Sequence, residues 1–159
     1  MSQEKIPIQA AISSPKAKLV EKYFHVQVET SSPDQILLLL LDGAVRFVEG
    51  ALEAAGRKDF EKKNALLIKA QAIVMTLKDS LQPEIGQQIF RNLGGLYFFI
   101  YQKLVEGNFR NDRNLIAEGL KLLQEVRETW RQAVASFRKE KAAGQEQKST
   151  EQQGICITG

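Results

Sequence analysis

Ser31-Ser32-Pro33-Asp34-Gln35-Ile36-Leu37-Leu38-Leu39-Leu40-Leu41-Asp42-Gly43-Ala44-Val45-Arg46-Phe47 decides the fold class. Ser32 is suited to cap a helix, Pro33 at the first helical position gives up an N–H that would lack a partner anyway, and Asp34 faces the positive end of the helix dipole. The apolar run from Ile36 to Leu41 follows at once. At about 100° per residue, those side chains cover every face of a helix. Either the rest of the chain covers this helix or another protein does. The run ends at Asp42-Gly43, far short of the ~18 residues that a membrane span needs, so membrane insertion is not expected.

Working outward, the pattern predicts a helix over 33–55. Ile36, Leu40, Ala44, Phe47 and Ala51 form one stripe, and Leu37, Leu41, Val45, Val48 and Leu52 the adjacent one. Gly56 stands in the usual stop position, and Asp59 can cap the next helix, which runs to about 81 through Phe60, Leu67, Ala70, Val74 and Leu77. Gln82-Pro83-Glu84 marks a break and a Pro-led start. A third helix over 83–106 carries Ile85, Ile89, Leu93, Leu96, Ile100 and Leu104 on one side. It also carries Phe90, Tyr97, Phe98, Phe99 and Tyr101, more large apolar surface than one buried stripe needs; either this marks an interaction site or a bulky bundle core takes up most of it. Gly94-Gly95 inside it implies the close approach of another helix, either internal or a partner's. Gly107-Asn108 closes that helix, and Asn111-Asp112 can cap a fourth, which reaches 137 through Leu115, Leu120, Leu123, Val126, Trp130, Val134 and Phe137. Trp130 is expected to anchor the core. Short connections make these helices antiparallel neighbours. The expected fold is all-α, an antiparallel four-helix bundle with room for a short additional N-terminal helix.

The flanks are expected to differ from the bundle. Residues 1–21 lack a period and hold Pro7 and Ser13-Ser14-Pro15, so they read as a flexible arm. Residues 22–138 form the bundle domain. Beyond them, 139–159 are Lys-, Glu-, Gln- and Ser-rich and read as a disordered polar tail.

A chain of 159 residues with 43% hydrophobic residues can bury a core without staples. Its formal charge is only +3, with Lys and Arg interspersed among Asp and Glu, so nucleic acid is not an expected partner. The lone Cys156 cannot form an internal disulfide, and no charged-then-apolar signal segment opens the chain, which makes the cytosol the expected compartment. No enzyme chemistry emerges. The single His25 cannot build a histidine-rich metal site, no zinc spacing is present, and Gly94-Gly95 is not followed by the Lys-Ser or Lys-Thr of a phosphate loop. No catalytic residue, metal or cofactor is expected.

The ordered motifs resemble one family. Tyr23 through Phe47, with Gln27-Val28-Glu29-Thr30, Ser32-Pro33 and Leu40-Leu41-Asp42-Gly43-Ala44-Val45-Arg46-Phe47, is similar to the flagellar secretion chaperones of the FliS type. Lys69-Ala70-Gln71 with Ile73, Asn92-Leu93, Leu96-Tyr97, Asn108 before Asp112, and Leu123 to Trp130 follow in that family's order over about 22–135. The resemblance implies a non-enzymatic export chaperone. It would bind the disordered C-terminal segment of flagellin in apolar grooves, prevent premature polymerisation, and aid delivery to the type III export apparatus. A component of that apparatus is therefore an implied partner, with an anti-sigma factor or a co-chaperone as further candidates. The residues expected to bind a partner are Tyr23, Val28, Leu37, Leu41, Asp42, Phe90, Leu93, Tyr97, Phe98 and Tyr101. In this reading the segment around Tyr23 covers a groove until flagellin displaces it. Leu41 stands where the family commonly has tyrosine, and Phe98 where an acidic residue is common. The alternative is a structural bundle that self-associates through its apolar face.

Overall fold

A computed structural model describes residues 15–25, 31–81 and 87–157, excepting the side chains of 87, 89, 90 and 153–157. Over these residues the chain is all-α: α1 (Pro15–Phe24), α2 (Pro33–Gly56), α3 (Phe60–Asp79), α4 (Gln87–Arg110) and α5 (Arg113–Ile157). The chain divides into two compact units, Met1–Arg127 and Glu128–Gly159.

In the first unit, contacts between side chains set the topology. Leu66 of α3 lies against Gly50 of α2. Asn64 of α3 pairs with Asn108 of α4, and Lys78 lies over Phe98. Along α4 and α5, Leu104 meets Gly119 and Gly107 meets Ile116. The start of α5 returns along α2, where Arg113 lies beside Gly56, Gln124 beside Glu49, and Arg127 beside Asp42. In each pair the residue numbers rise on one helix as they fall on the other. The four helices therefore alternate in direction and close a ring, as short connections require. Leu40, Leu41, Val45, Val48, Leu67, Ile73, Val74, Tyr97, Ile100, Leu104, Ile116 and Leu123 fill its centre. Both stripes of α2 contribute to this core, because α1 covers the side that the ring leaves open.

The helix starts follow the capping chemistry read from the sequence. Ser32 and Gln35 form a reciprocal capping box, with Ser32 N donating to Gln35 Oε1 at 2.9 Å and Gln35 N to Ser32 Oγ at 3.4 Å. Asp59 accepts from Lys62 N at 3.1 Å, and Asp112 accepts from Asn114 N at 2.9 Å.

The stops differ from expectation. Lys58 and Asn111, with φ of 60° and 52°, take the left-handed conformation that ends α2 and α4, rather than Gly56 and Gly107. Gly107 continues α4 and is buried because α5 crosses it closely: a Cβ there would lie 2.7 Å from Ile116 Cγ1 and 3.2 Å from the carbonyl oxygen of Asp112. Helix α4 therefore extends to Arg110, beyond the expected end at 106. At Gly94-Gly95 no described helix of the chain itself comes close: Leu81 reaches ordinary contact distance at Gly94, and Gly95 meets nothing among the described residues.

Two expectations about the flanks are corrected. Residues 15–21 belong to α1, a helix with Ala17 and Val20 fully buried, so this part of the expected arm is packed. Two small apolar side chains three apart suffice to seat a short helix. Residues 1–14 and 26–30 lie outside the described residues. In the second unit, residues 139–157 continue α5 as helix instead of a disordered tail. Their Gln, Glu, Lys and Ala are strong helix formers that need no packing to favour this state. Trp130 in that unit is half-buried and Phe137, expected on the inner stripe, is exposed.

Candidate protein-binding surface

The outer seam between α3 and α4 carries a continuous apolar strip. At one end, Asn108 Nδ2 donates to Asn64 Oδ1 at 2.7 Å; at the other, the Lys78 ammonium lies 5.8 Å from the centroid of Phe98. Asn64, Gln71 and Lys78 recur at sevens, placing them on one line of α3 for a length of about 21 Å. Beside that line Phe60 and Ile68 are exposed, each four residues from Asn64. On α4, Phe98, Tyr101, Val105 and Phe109 share a face by their spacing. Phe98 and Tyr101 stack at 6.3 Å, Phe98 and Val105 are exposed, and Phe109 is 87% exposed. Such a strip is unusual on a small single chain and makes the seam the candidate interaction surface.

Charge around the strip is largely compensated locally. Arg110 pairs with Glu106 at 3.2 Å, and Lys78 lies 3.9 Å from Asp79. Lys63 closes the lower end from beneath. It is the one buried charged residue among those described. Its ammonium donates to the carbonyl of Asn108 at 2.9 Å and to Asn111 Oδ1, and sits 5.4 Å from the Phe60 ring. Those acceptors occupy the negative end of α4, where a cation is favoured. Burial nevertheless lowers the Lys63 pKa, since removing an ammonium from water penalises its charged form.

A second aromatic cluster forms where α1 meets α2. Tyr23 is edge-on to Phe47 at 5.8 Å, while Phe24 stacks on Phe47 at 6.0 Å. Lys69 lies over both Tyr23 and Phe47, and Arg46 lies over Phe24. On the other side of α4, a cleft of about 260 Å³ opens towards α5, lined by Phe99, Lys103, Glu118, Lys121, Leu122 and Glu125.

The residues expected to bind a partner are distributed unevenly over these surfaces. Phe98 and Tyr101 stand on the seam, and Tyr23 is in the α1 cluster. Leu37 and Leu93 are half-buried on α2 and α4. Asp42 is half-buried and placed 3.6 Å from Arg127, tying α2 to α5. Leu41 and Tyr97 require correction: they are 0% and 1% exposed and belong to the core of the folded chain. Tyr97 points inward because its neighbours at three and seven residues, Ile100 and Leu104, define the inner stripe of α4. Val28 and the side chain of Phe90 lie outside the described residues.

The sequence reading missed Ile68, Val105 and Phe109, and it counted Phe60 as core. A signal was present. Ile68 and Val105 each adjoin a core leucine, Leu67 and Leu104, and so must point away from the stripe to which that leucine belongs.

Among the described residues no three His, Cys, Asp or Glu side chains converge as a metal site would require, and no helix is long and apolar enough to cross a membrane. The family described as "Flagellar protein FliS" matches residues 16–136, beginning within α1. The chain is 34% identical over 119 residues to the flagellar secretion chaperone FliS of Bacillus subtilis, an alignment covering 75% of this chain and 88% of that protein. It is 34% identical over 118 residues to the FliS of Salmonella typhimurium, covering 71% and 87% respectively. It is 32% identical over 117 residues to the chaperone FliSB of Pseudomonas aeruginosa, covering 71% and 93%. With a four-helix ring, a packed N-terminal helix and a family match across both, the chain belongs to the FliS family of flagellar secretion chaperones.

Proposed function

We propose that the protein acts in the bacterial cytosol as an export chaperone, binding the C-terminal segment of flagellin along the α3–α4 seam. The exposure of Phe98, Val105 and Phe109 in one line on α4, facing Phe60 and Ile68 across the seam, carries this reading. A segment disordered when free would fold there as an amphipathic helix, laying its apolar face on the strip. Sequestering the segment denies it to other flagellin molecules, which prevents early polymerisation without nucleotide or catalysis. The folded complex is then delivered to a component of the export apparatus.

The α1 cluster is a second contact zone in this proposal. Helix α1 lies on the face of α2 that carries Gly43 and Phe47, and its displacement would give a longer client access to that face. An anti-sigma factor or co-chaperone would compete for the same apolar surfaces.

Calorimetric titration with a synthetic flagellin C-terminal peptide, accompanied by circular dichroism, tests the reading. Saturation at one peptide per chain, gain of helix and a negative heat-capacity change are expected. Because the strip is apolar and its charges are paired, affinity should change little with salt. Absence of binding by the folded bundle would reject the proposal. A concentration-dependent dimer that disappears in Phe109→Ser would instead assign the strip to self-association.

A further inference from the structure

Two covered polar atoms at the seam lack partners in the free protein. Gln71 Nε2 donates to nothing, and Asn108 Oδ1 accepts from nothing, although Asn108 Nδ2 is engaged by Asn64. Gln71 stands midway between Asn64 and Lys78, the two residues whose contacts with α4 mark the ends of the seam. The seven-residue spacing puts all three on one line. Beneath the apolar strip therefore lie one unpaired amide donor and, lower down, one unpaired amide acceptor, both covered in the free protein, which a docked segment meets once the amides turn outward. Covered donors and acceptors are ordinarily paired, and leaving one unpaired disfavours the state that does so. The unpaired donor of Gln71 adds no hydrogen bond to the isolated bundle.

We propose that Gln71 and Asn108 are specificity-determining residues, pairing with polar groups of the segment that occupies the seam. This inference rests on the assignment of the α3–α4 seam as the flagellin site. The favoured segment carries an amide or hydroxyl side chain, of the Asn, Gln, Ser or Thr type, within its apolar face. That side chain presents an acceptor to Gln71 Nε2, and a donor one to two turns away along the bound helix reaches Asn108 Oδ1. A purely apolar helix of equal hydrophobic area leaves both atoms unpaired and is discriminated against, as polar sites reject analogues that lack the matching group.

Two opposite effects of one substitution test it. Gln71→Leu removes the unpaired donor, so the variant should melt no earlier than the wild type. It should bind the flagellin C-terminal peptide about tenfold more weakly, the loss of one net hydrogen bond. A panel of peptides with single polar-to-alanine changes then locates the partner. One such change should weaken binding to the wild type and have no further effect on Gln71→Leu, the signature of direct coupling. Equal affinity of wild type and Gln71→Leu for the unaltered peptide would overturn the inference while leaving the seam assignment standing. A loss of affinity accompanied by an earlier melt would also overturn it, because Gln71 would then be a structural residue. Failure of the wild type itself to bind the peptide would reject the seam assignment first.

Discussion

The ring of Phe24 lies directly on the backbone of Gly43, so that a Cβ at that glycine would fall 2.6 Å from Cε1 and closer still to Cζ. Glycine is needed at this point of α2 because an aromatic ring from α1 occupies the space of a side chain. The contact continues into the stacking of Phe24 on Phe47 at 6.0 Å. Docking of α1 thus depends on one missing methyl group. Gly43→Ala should push Phe24 out and loosen α1, at a cost of about 1–3 kcal/mol, the usual range for overpacking. Hydrogen exchange of the α1 amides is the direct readout, and unchanged protection over residues 15–24 would show that the ring finds another seat.

Residues of the exposed strip should separate binding from stability. Phe109→Ser alters a side chain almost wholly in solvent and should shift stability by no more than about 0.5 kcal/mol. If Phe109 anchors a partner helix, the same change should weaken flagellin-peptide binding by tenfold or more, as truncation of an interface aromatic does. Paired calorimetry and thermal melts decide the matter. A destabilised variant with normal binding would contradict the assignment.

Tyr97 and Tyr101, four residues apart on α4, should behave in opposite ways. Tyr97 is buried, so Tyr97→Ala should lose about 3 kcal/mol or more and lower the denaturation midpoint sharply. Tyr101→Ala, at the half-exposed seam and stacked on Phe98, should retain a cooperative transition and reduce peptide affinity. Urea titrations of the two variants measure the contrast.

Lys63→Met should destabilise the bundle by about 1–3 kcal/mol, because the carbonyl of Asn108 and the side chain of Asn111 lose a charged donor. Its pH dependence has a definite sign. Burial lowers the folded-state pKa of Lys63 below the ordinary 10.5, so between the two values the unfolded chain binds more protons at this group. Stability of the wild type relative to Lys63→Met should therefore rise with pH as 10.5 is approached from below, and be flat at lower pH. Urea midpoints of both proteins across the alkaline range would show it; a falling difference would contradict the burial of the ammonium.

How much of this architecture was legible depends on whether the responsible interactions are local. Ser32-Pro33-Asp34 with Gln35, Asp59 before Phe60, and Asp112 before Arg113 announce helix starts, since a cap bonds to the backbone two or three residues onward. Stops were harder to read. Lys58 and Asn111 adopt left-handed conformations where glycines stood nearby: Gly107 is used for helix-to-helix approach, and Gly56 is the last residue of α2 and not its turn. A short N-terminal helix was allowed for, but its packed extent back to Pro15 was not, for a related reason. Its buried contacts, Ala17 and Val20, are small, and their partners lie on other helices.

The binding surface was legible in kind but not in membership. An excess of aromatic residues on α4 declared that something must cover it, and Phe98 and Tyr101 follow from that excess. Tyr97 and Leu41 could not be assigned from composition, because a run apolar on every side does not state which side the rest of the chain will cover. By itself the sequence determined the helical class, the capped starts of α2, α3 and α5, the antiparallel order and the presence of more apolar surface than one core requires, all of which rest on periodicity and short-range capping. Only the tertiary structure decided that Tyr97 faces inward, that Phe24 seats on Gly43, and that Phe60, Ile68, Val105 and Phe109 meet along one seam. Those outcomes depend on the rotation of each helix about its axis, which is set by packing between residues distant in the chain.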